Sequence, residues 1–211
     1  MGEMEGLNYY EGDKKNVVIP EGTRAIVVQG FHADWMRDDI PLDCTICFKE
    51  EDLWDVETVD MPDSVEIIGP KAFHPSNKLK TVNFSKNLKK ICIHAFSGTS
   101  LLKTVSLPKS LKEIQTWAFG GCGLDDIFYD GTIFEFDKID TRGAFLNIRR
   151  LHCSDCTVDF SKKDYYIDEL KYDGTMEEWN NNMSSHWLNK RSAKIKCTDG
   201  DIINQKLNGV L

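Results

Sequence analysis

Four of the seven cysteines in this 211-residue chain form two Cys-x-x-Cys pairs. They are Cys44-Thr45-Ile46-Cys47 and Cys153-Ser154-Asp155-Cys156, with His152 beside the second. Two such pairs are the donor set of a structural zinc site, because thiolates are soft ligands that suit a tetrahedral cation. The spacing of 109 residues from Cys44 to Cys153 is far longer than a compact zinc module uses. The pairs therefore read as reduced structural thiols acting as small hydrophobes, and neither a metal nor a cofactor is expected. None of the five histidines (His32, His74, His94, His152 and His186) stands in a nucleophile or metal motif. Gly-x-Ser-x-Gly, His-Glu-x-x-His and the phosphate loop are not found in the sequence. Gly120-Gly121-Cys122-Gly123 reads as a turn whose glycines supply positive φ. The expectation is a protein without catalysis.

Charge gives a second candidate. The formal net charge is −8, which argues against direct nucleic-acid or membrane-surface binding and favours a basic partner. All of it lies in one stretch. Residues 34–60 hold ten acids (Asp34, Asp38, Asp39, Asp43, Glu50, Glu51, Asp52, Asp55, Glu57 and Asp60) and two bases (Arg37 and Lys49). The rest of the chain has 24 acids and 24 bases. Trp35 and Trp54 sit in the same acidic stretch, either pinning it to the body or serving as aromatic anchors within an acidic rim.

The elements that position these residues follow from a repeat. Ala72-Phe73, Ala95-Phe96 and Ala118-Phe119 recur every 23 residues. Val59, Val82 and Val105 keep the same spacing, and so do Ile68, Ile91 and Ile114. A 23-residue unit cannot bury its apolar side alone, so a fixed period predicts a stacked solenoid. The pattern Leu-x-x-Val-x-apolar predicts a strand whose apolar positions point inward. Phe31, Phe73, Phe96, Phe119 and Phe145 are expected to form a buried spine. Segments of the type Val65-Glu66-Ile67-Ile68 are expected to pair as a second sheet. The step from Pro20 to Pro62 is 42 residues, one repeat plus 19, which places an acidic insertion at 32–55. Later strands are predicted at Leu124-x-x-Ile127-x-Tyr129, Ile148-x-x-Leu151-x-Cys153 and Ile167-x-x-Leu170-x-Tyr172.

These residues resemble the BspA-like leucine-rich repeat family, the Treponema pallidum type. The matching pattern is Leu79-x-x-Val82, Leu88-x-x-Ile91 and Ala95-Phe96 with their neighbours, and Cys122 falls at the family's turn cysteine. Tyr172-Asp173-Gly174-Thr175-Met176-Glu177-Glu178-Trp179, Trp187 and Ile195-Lys196-Cys197-Thr198-Asp199-Gly200 look like the family's C-terminal cap. An echo, Tyr129-Asp130-Gly131-Thr132, stands 43 residues before that cap. The resemblance implies a β-rich solenoid, a leucine-rich repeat stack of roughly six to seven units with parallel strands and terminal caps. Residues 1–16 would be the N-terminal cap, 17–166 the solenoid, and 167–211 the last strand and C-terminal cap. Members of the family are mostly bacterial or protist, often at the cell surface, and resemble adhesins.

The functional expectation is a protein-binding module, monomeric because both ends are capped. In register, the outward strand positions are Thr58 and Asp60, Thr81 and Asn83, Thr104 and Ser106, then Asp126 and Phe128, Arg150 and His152, Glu169 and Lys171. The early rungs form a polar ladder of structural Thr, Asn and Ser pairs. Asp126, Phe128, Arg150 and His152 combine an aromatic with an arginine, the types enriched in binding hot spots. Trp117 shares a solvent-facing column with Lys71 and His94. Trp35, Asp38, Asp39, Glu50, Glu51, Asp52 and Trp54 are the acidic-segment candidates. An alternative is an acidic inhibitor that offers a basic nucleic-acid-binding enzyme carboxylates in place of phosphates. The N-terminus, Met1-Gly2-Glu3-Met4-Glu5-Gly6, has acids where a secretory leader has bases. A cytoplasmic location is expected, or a cell-surface one if a leader has been removed.

Overall fold

The computed structural model describes residues 8–30, 44–141, 143–144, 148–160, 167–183 and 192–203. In chain order the strands are β1 (Asn8–Tyr9), β2 (Asn16–Val18), β3 (Ala25–Val28), β4 (Thr45–Phe48), β5 (Thr58–Asp60), β6 (Ile67–Ile68), β7 (Thr81–Asn83) and β8 (Lys90–Ile91). They continue as β9 (Thr104–Leu107), β10 (Glu113–Ile114), β11 (Asp126–Tyr129), β12 (Arg150–His152), β13 (Cys156–Asp159), β14 (Ile167–Tyr172), β15 (Ser192–Cys197) and β16 (Gly200–Ile203). Two helices, α1 (Ile133–Asp137) and α2 (Met176–Met183), and a 3-10 helix at Glu50–Asp55 complete the described elements.

Each repeat contributes one strand to each side of the stack, which makes it a β-rich solenoid. On one side β2, β5 and β7 pair in parallel, and β9, β11 and β12 continue the same column in a second sheet. In β5 and β7 the central Val59 and Val82 are buried between more exposed neighbours, as period-two alternation requires. On the other side β3, β6, β8 and β10 align Ile26, Ile68, Ile91 and Ile114 rung by rung.

The core between them is columnar. Phe73, Phe96 and Phe119 stack with ring centroids 5.2 Å apart at both steps. That spacing follows from strands about 4.8 Å apart. Each fully buried ring stabilises the stack by about 2–3 kcal/mol. The turns stack too, since the amides of Phe73, Phe96 and Phe119 donate to the carbonyls of Ala95, Ala118 and Ala144 on the next rung. Lys71, His94 and Trp117 hold φ of 56°, 57° and 61°. Three non-glycine residues in the left-handed region at one column mark a requirement of the repeat corner, because each costs about 1–2 kcal/mol.

Two expectations change, and part of a third lies outside the described residues. Phe31 and Phe145 lie outside the described residues, and the described spine is extended by Phe48, 5.7 Å from Phe73 and capped by Tyr10 at 4.9 Å. Phe48 belongs to the segment expected to be an inserted loop. Its strand β4 pairs in parallel with β3 on one side and β1 on the other, and all four of its residues are buried. Leu53 and Val56 are buried as well. The later half of the insertion therefore supplies an inner strand, β4, to the sheet that holds β3, β6, β8 and β10. Lastly, not every strand is parallel. β13 enters antiparallel between β12 and β14, and β16 closes antiparallel on β15.

The 43-residue echo is a duplicated module. β11, α1, β12 and β13 form the first copy, and β14, α2, β15 and β16 the second. In both, a Thr starts the helix through a reciprocal capping box, Thr132 with Glu135 and Thr175 with Glu178. In both, an aspartate from the following hairpin turn accepts the first helical N–H, Asp155 from Ile133 and Asp199 from Met176, each at 2.8 Å. Gly131 and Gly174 are glycines for a shared reason: a Cβ at either would strike the ring of the tyrosine two residues earlier. Phe136 and Trp179 fill the core at equivalent places.

Candidate functional site

The site is built by register. β11 and β12 set Asp126 beside Arg150 and Phe128 beside His152, while Ile127 and Leu151 between them are buried. Alternation therefore sends all four candidates to one outward face. Arg150 grips Asp126 with two donors, Nη2 to Oδ2 at 2.8 Å and Nε to Oδ1 at 2.7 Å. This is the bidentate fork that only a guanidinium makes. His152 Nε2 lies 2.7 Å from the same Oδ1, and its Nδ1 lies 3.2 Å from Thr157 Oγ1 on β13. Hydrogen bonds from Arg150 first and His152 second hold the Asp126 carboxyl below its ordinary value of 3.8. The Phe128 ring stacks flat on His152, with centroids 4.5 Å apart and planes at 11°. It remains 45% exposed.

This network can fix an aromatic and a cation in place on an open surface. Asp126, His152 and Thr157 also have the order of an acid, a base and a hydroxyl, as in nucleophilic relays. Thr157 stands exposed on a strand face, and Asp126 is already committed to Arg150. Water exclusion, which gives such relays their strength, has no structural source at an exposed hydroxyl.

The acidic candidates are more dispersed. Trp35, Asp38 and Asp39 lie outside the described residues. Glu50, Glu51 and Asp52 open the 3-10 helix. Asp52 pairs with Lys14 at 2.7 Å. Asp55 pairs with Lys78 at 2.6 Å, and Glu57 with Lys80 at 2.9 Å and Lys15 at 3.2 Å. Asp60 accepts from Asn83. Much of the acidity that looks concentrated along the sequence is thus matched across rungs by cations 23 residues on or from the N-terminal cover. Glu50 and Glu51 remain exposed. Trp54 does not pin the segment: Leu53 is the buried residue, and Trp54 is 54% exposed.

Trp117 is outward as expected, 47% exposed, with His94 6.2 Å away one rung back. The sequence reading missed Thr157 and Asp159, which flank His152 and Arg150 from β13. The direct approach of β14 to β12, with Lys171 beside the patch, is replaced by this hairpin; Lys171 pairs instead with Thr157 and Lys196. The available signal was the turn sequence Cys153-Ser154-Asp155-Cys156 itself, which matches Cys197-Thr198-Asp199-Gly200 in the duplicate.

Among the described residues, no helix is long and apolar enough to cross a membrane. The family model described as "BspA type Leucine rich repeat region" matches residues 46–150 in six copies. No curated protein matches the sequence significantly. Among solved structures, the chain is similar to a leucine rich cell surface protein from Faecalibacterium prausnitzii, at 20% identity and a TM-score of 0.44. The match covers 82% of this chain and 36% of that one, so this chain spans about a third of that protein's length. It is also similar to the leucine rich repeat protein of Treponema pallidum, at 23% identity and a TM-score of 0.36, over 55% of this chain and 59% of that one. The columns of Val, Ile and Ala-Phe, the strands aligned on both sides of the stack and the six matched copies agree, and the chain belongs to the BspA-type leucine-rich repeat family.

Proposed function

We propose that this protein is a non-catalytic protein-binding module whose contact surface is centred on Phe128, Arg150 and His152. The observation that carries the reading is a half-exposed phenylalanine stacked on a histidine that is itself fixed by the Asp126–Arg150 fork. A large apolar ring held rigid on a repeat surface loses little entropy when a partner covers it. Arg150 keeps half of its side chain open for a second contact. The partner suited to this surface presents an apolar pocket for Phe128 with an acceptor at its rim for Arg150. Glu50, Glu51 and Trp54 offer a peripheral acidic contact. Acidic mimicry of nucleic acid has less support, since Asp52, Asp55 and Glu57 are matched internally.

Affinity capture from the source cells with the wild type and with Phe128→Ala/Arg150→Ala tests this reading. A protein retained by the wild type and by Trp117→Ala, but lost by the double variant, is the expected result. Capture that survives the double variant, yet fails when Glu50 and Glu51 are neutralised, would move the site to the acidic segment.

A further inference from the structure

The turn joining β12 to β13 carries chemistry that binding at the strand face does not use. Cys153, Asp155 and Cys156 each present one donor atom, and the three lie within 4.8 Å of one another. They are the group of metal-capable side chains that close together among the described residues. Cys47 lies in β4 of the opposite sheet, with Cys44 just before that strand, so the four-cysteine site does not assemble. His152 is turned outward to Asp126 and Thr157 and is not a member.

The carboxylate is half satisfied. Asp155 Oδ1 accepts the Ile133 N–H at 2.8 Å, while Oδ2 is buried with no hydrogen-bond partner. A buried acceptor with nothing to accept from is costly, and such atoms in folded proteins commonly mark a missing water or ion.

The duplicate module supplies the control. Cys197-Thr198-Asp199-Gly200 makes the same turn, and Asp199 caps α2 as Asp155 caps α1. There the aspartate is exposed, and a glycine stands where Cys156 stands. Capping the helix therefore requires the aspartate but no second thiol. The cap does not need the Cys156 thiol, which is buried in the core, and in this copy one oxygen of the carboxylate is buried as well.

We propose that the Cys153-Ser154-Asp155-Cys156 turn binds one thiophilic divalent cation of the zinc type. Its ligands are Cys153 Sγ, Cys156 Sγ and Asp155 Oδ2. Three protein ligands with a fourth position open to water or an outside donor is a known zinc arrangement. Both thiol protons pass to solvent on binding, and no electron is transferred. The site stands independently of the strand-face reading.

Cobalt titration of the reduced, metal-stripped protein tests it. Expected are one equivalent per chain, a thiolate-to-cobalt charge-transfer band, and displacement of cobalt by zinc. Cys156→Ser should lose most of the band. Cys44→Ser/Cys47→Ser should keep it. Asp155→Asn retains an acceptor for the Ile133 amide, so it should fold as the wild type does by circular dichroism. It should nevertheless weaken cobalt binding by about 10-fold or more, at least the loss that follows removal of a supporting ligand contact. Absence of the band in the wild type would overturn the proposal, as would equal titration by Cys156→Ser. Unchanged affinity in Asp155→Asn would remove the carboxylate from the ligand set.

Discussion

The module from β11 to β13 and the module from β14 to β16 share a scaffold and differ in what they carry. Both hold a Tyr-Asp-Gly-Thr entry, a capping box, a buried aromatic and an aspartate that reaches back to the helix. Their outward registers diverge. The first sets Asp126 against Arg150 and Phe128 against His152, whereas the second sets Lys171 against Lys196. Their turns diverge in the same way, Cys156 against Gly200. Features present in both copies are what the fold needs. Features present in one copy only are not demanded by the fold, and those are the aromatic patch and the second thiol.

That contrast can be broken most forcefully in the core. Trp179→Ala should cost about 3–5 kcal/mol, the usual cost of emptying a buried aromatic site. In a stack of nearest-neighbour contacts the loss should stay local. Hydrogen exchange should show β14–β16 deprotected while the amides of β5–β10 keep their protection. Uniform loss would mean that the second module is not a separable unit.

Next in size is the outward patch. Phe128→Ala should weaken partner binding by about 2 kcal/mol, a hot-spot magnitude. It should change stability by no more than about 0.5 kcal/mol, since the ring is a surface group. Lys171→Ala, at the equivalent register of the second module, should leave binding unchanged. Calorimetric titration with urea unfolding separates the two effects, and equal losses at the two positions would end the asymmetry.

The caps should behave alike. Thr132→Ala and Thr175→Ala should each cost about 1 kcal/mol. Chemical denaturation monitored by circular dichroism measures both. A cost at one position only would show that the two helices are not equivalently held.

Acid should produce the smallest effect, and a one-sided one. The folded-state value of Asp126 lies below 3.8. The stabilisation from its fork is therefore complete above 3.8 and disappears as pH falls through the lower folded value. Asp126→Asn should flatten the first module's part of the acid-unfolding curve and leave its stability above that range nearly flat with pH. Acid unfolding followed by Trp fluorescence and by hydrogen exchange across β11–β13 measures this.

Much of this was legible in advance. The Val, Ile and Ala-Phe columns located the strands and the stacked rings. Alternation placed Asp126, Phe128, Arg150 and His152 on one face, and Trp117 in a solvent-facing column. Trp179 was expected in the cap and is fully buried. Other features were not legible. Thr45-Ile46-Cys47-Phe48 is only a threonine and three apolar residues inside an acidic run, and its charged neighbours hid a buried rung. In the 3-10 helix, Leu53 rather than Trp54 turns inward, a choice set by how the chain enters β5. β13 is a short alternating strand with no repeat partner upstream, so its antiparallel entry beside His152 left no periodic trace.

The sequence by itself determined the repeat, the handful of residues in each column, and the faces on which they stand. It could do so because the period of the chemistry equals the period of the fold. Only the tertiary structure decided which strand lies beside which, which lysines neutralise Asp52, Asp55 and Glu57, and that Asp155 turns one oxygen to a helix and leaves the other unpaired. Those outcomes depend on hydrogen bonds and charge pairs between residues 20 to 40 positions apart, roughly one or two rungs of the stack. Local residue type carries no record of such pairings. The duplicate module shows the limit directly, because nearly the same four-residue turn leaves its aspartate exposed in one place and buries a carboxylate oxygen in the other.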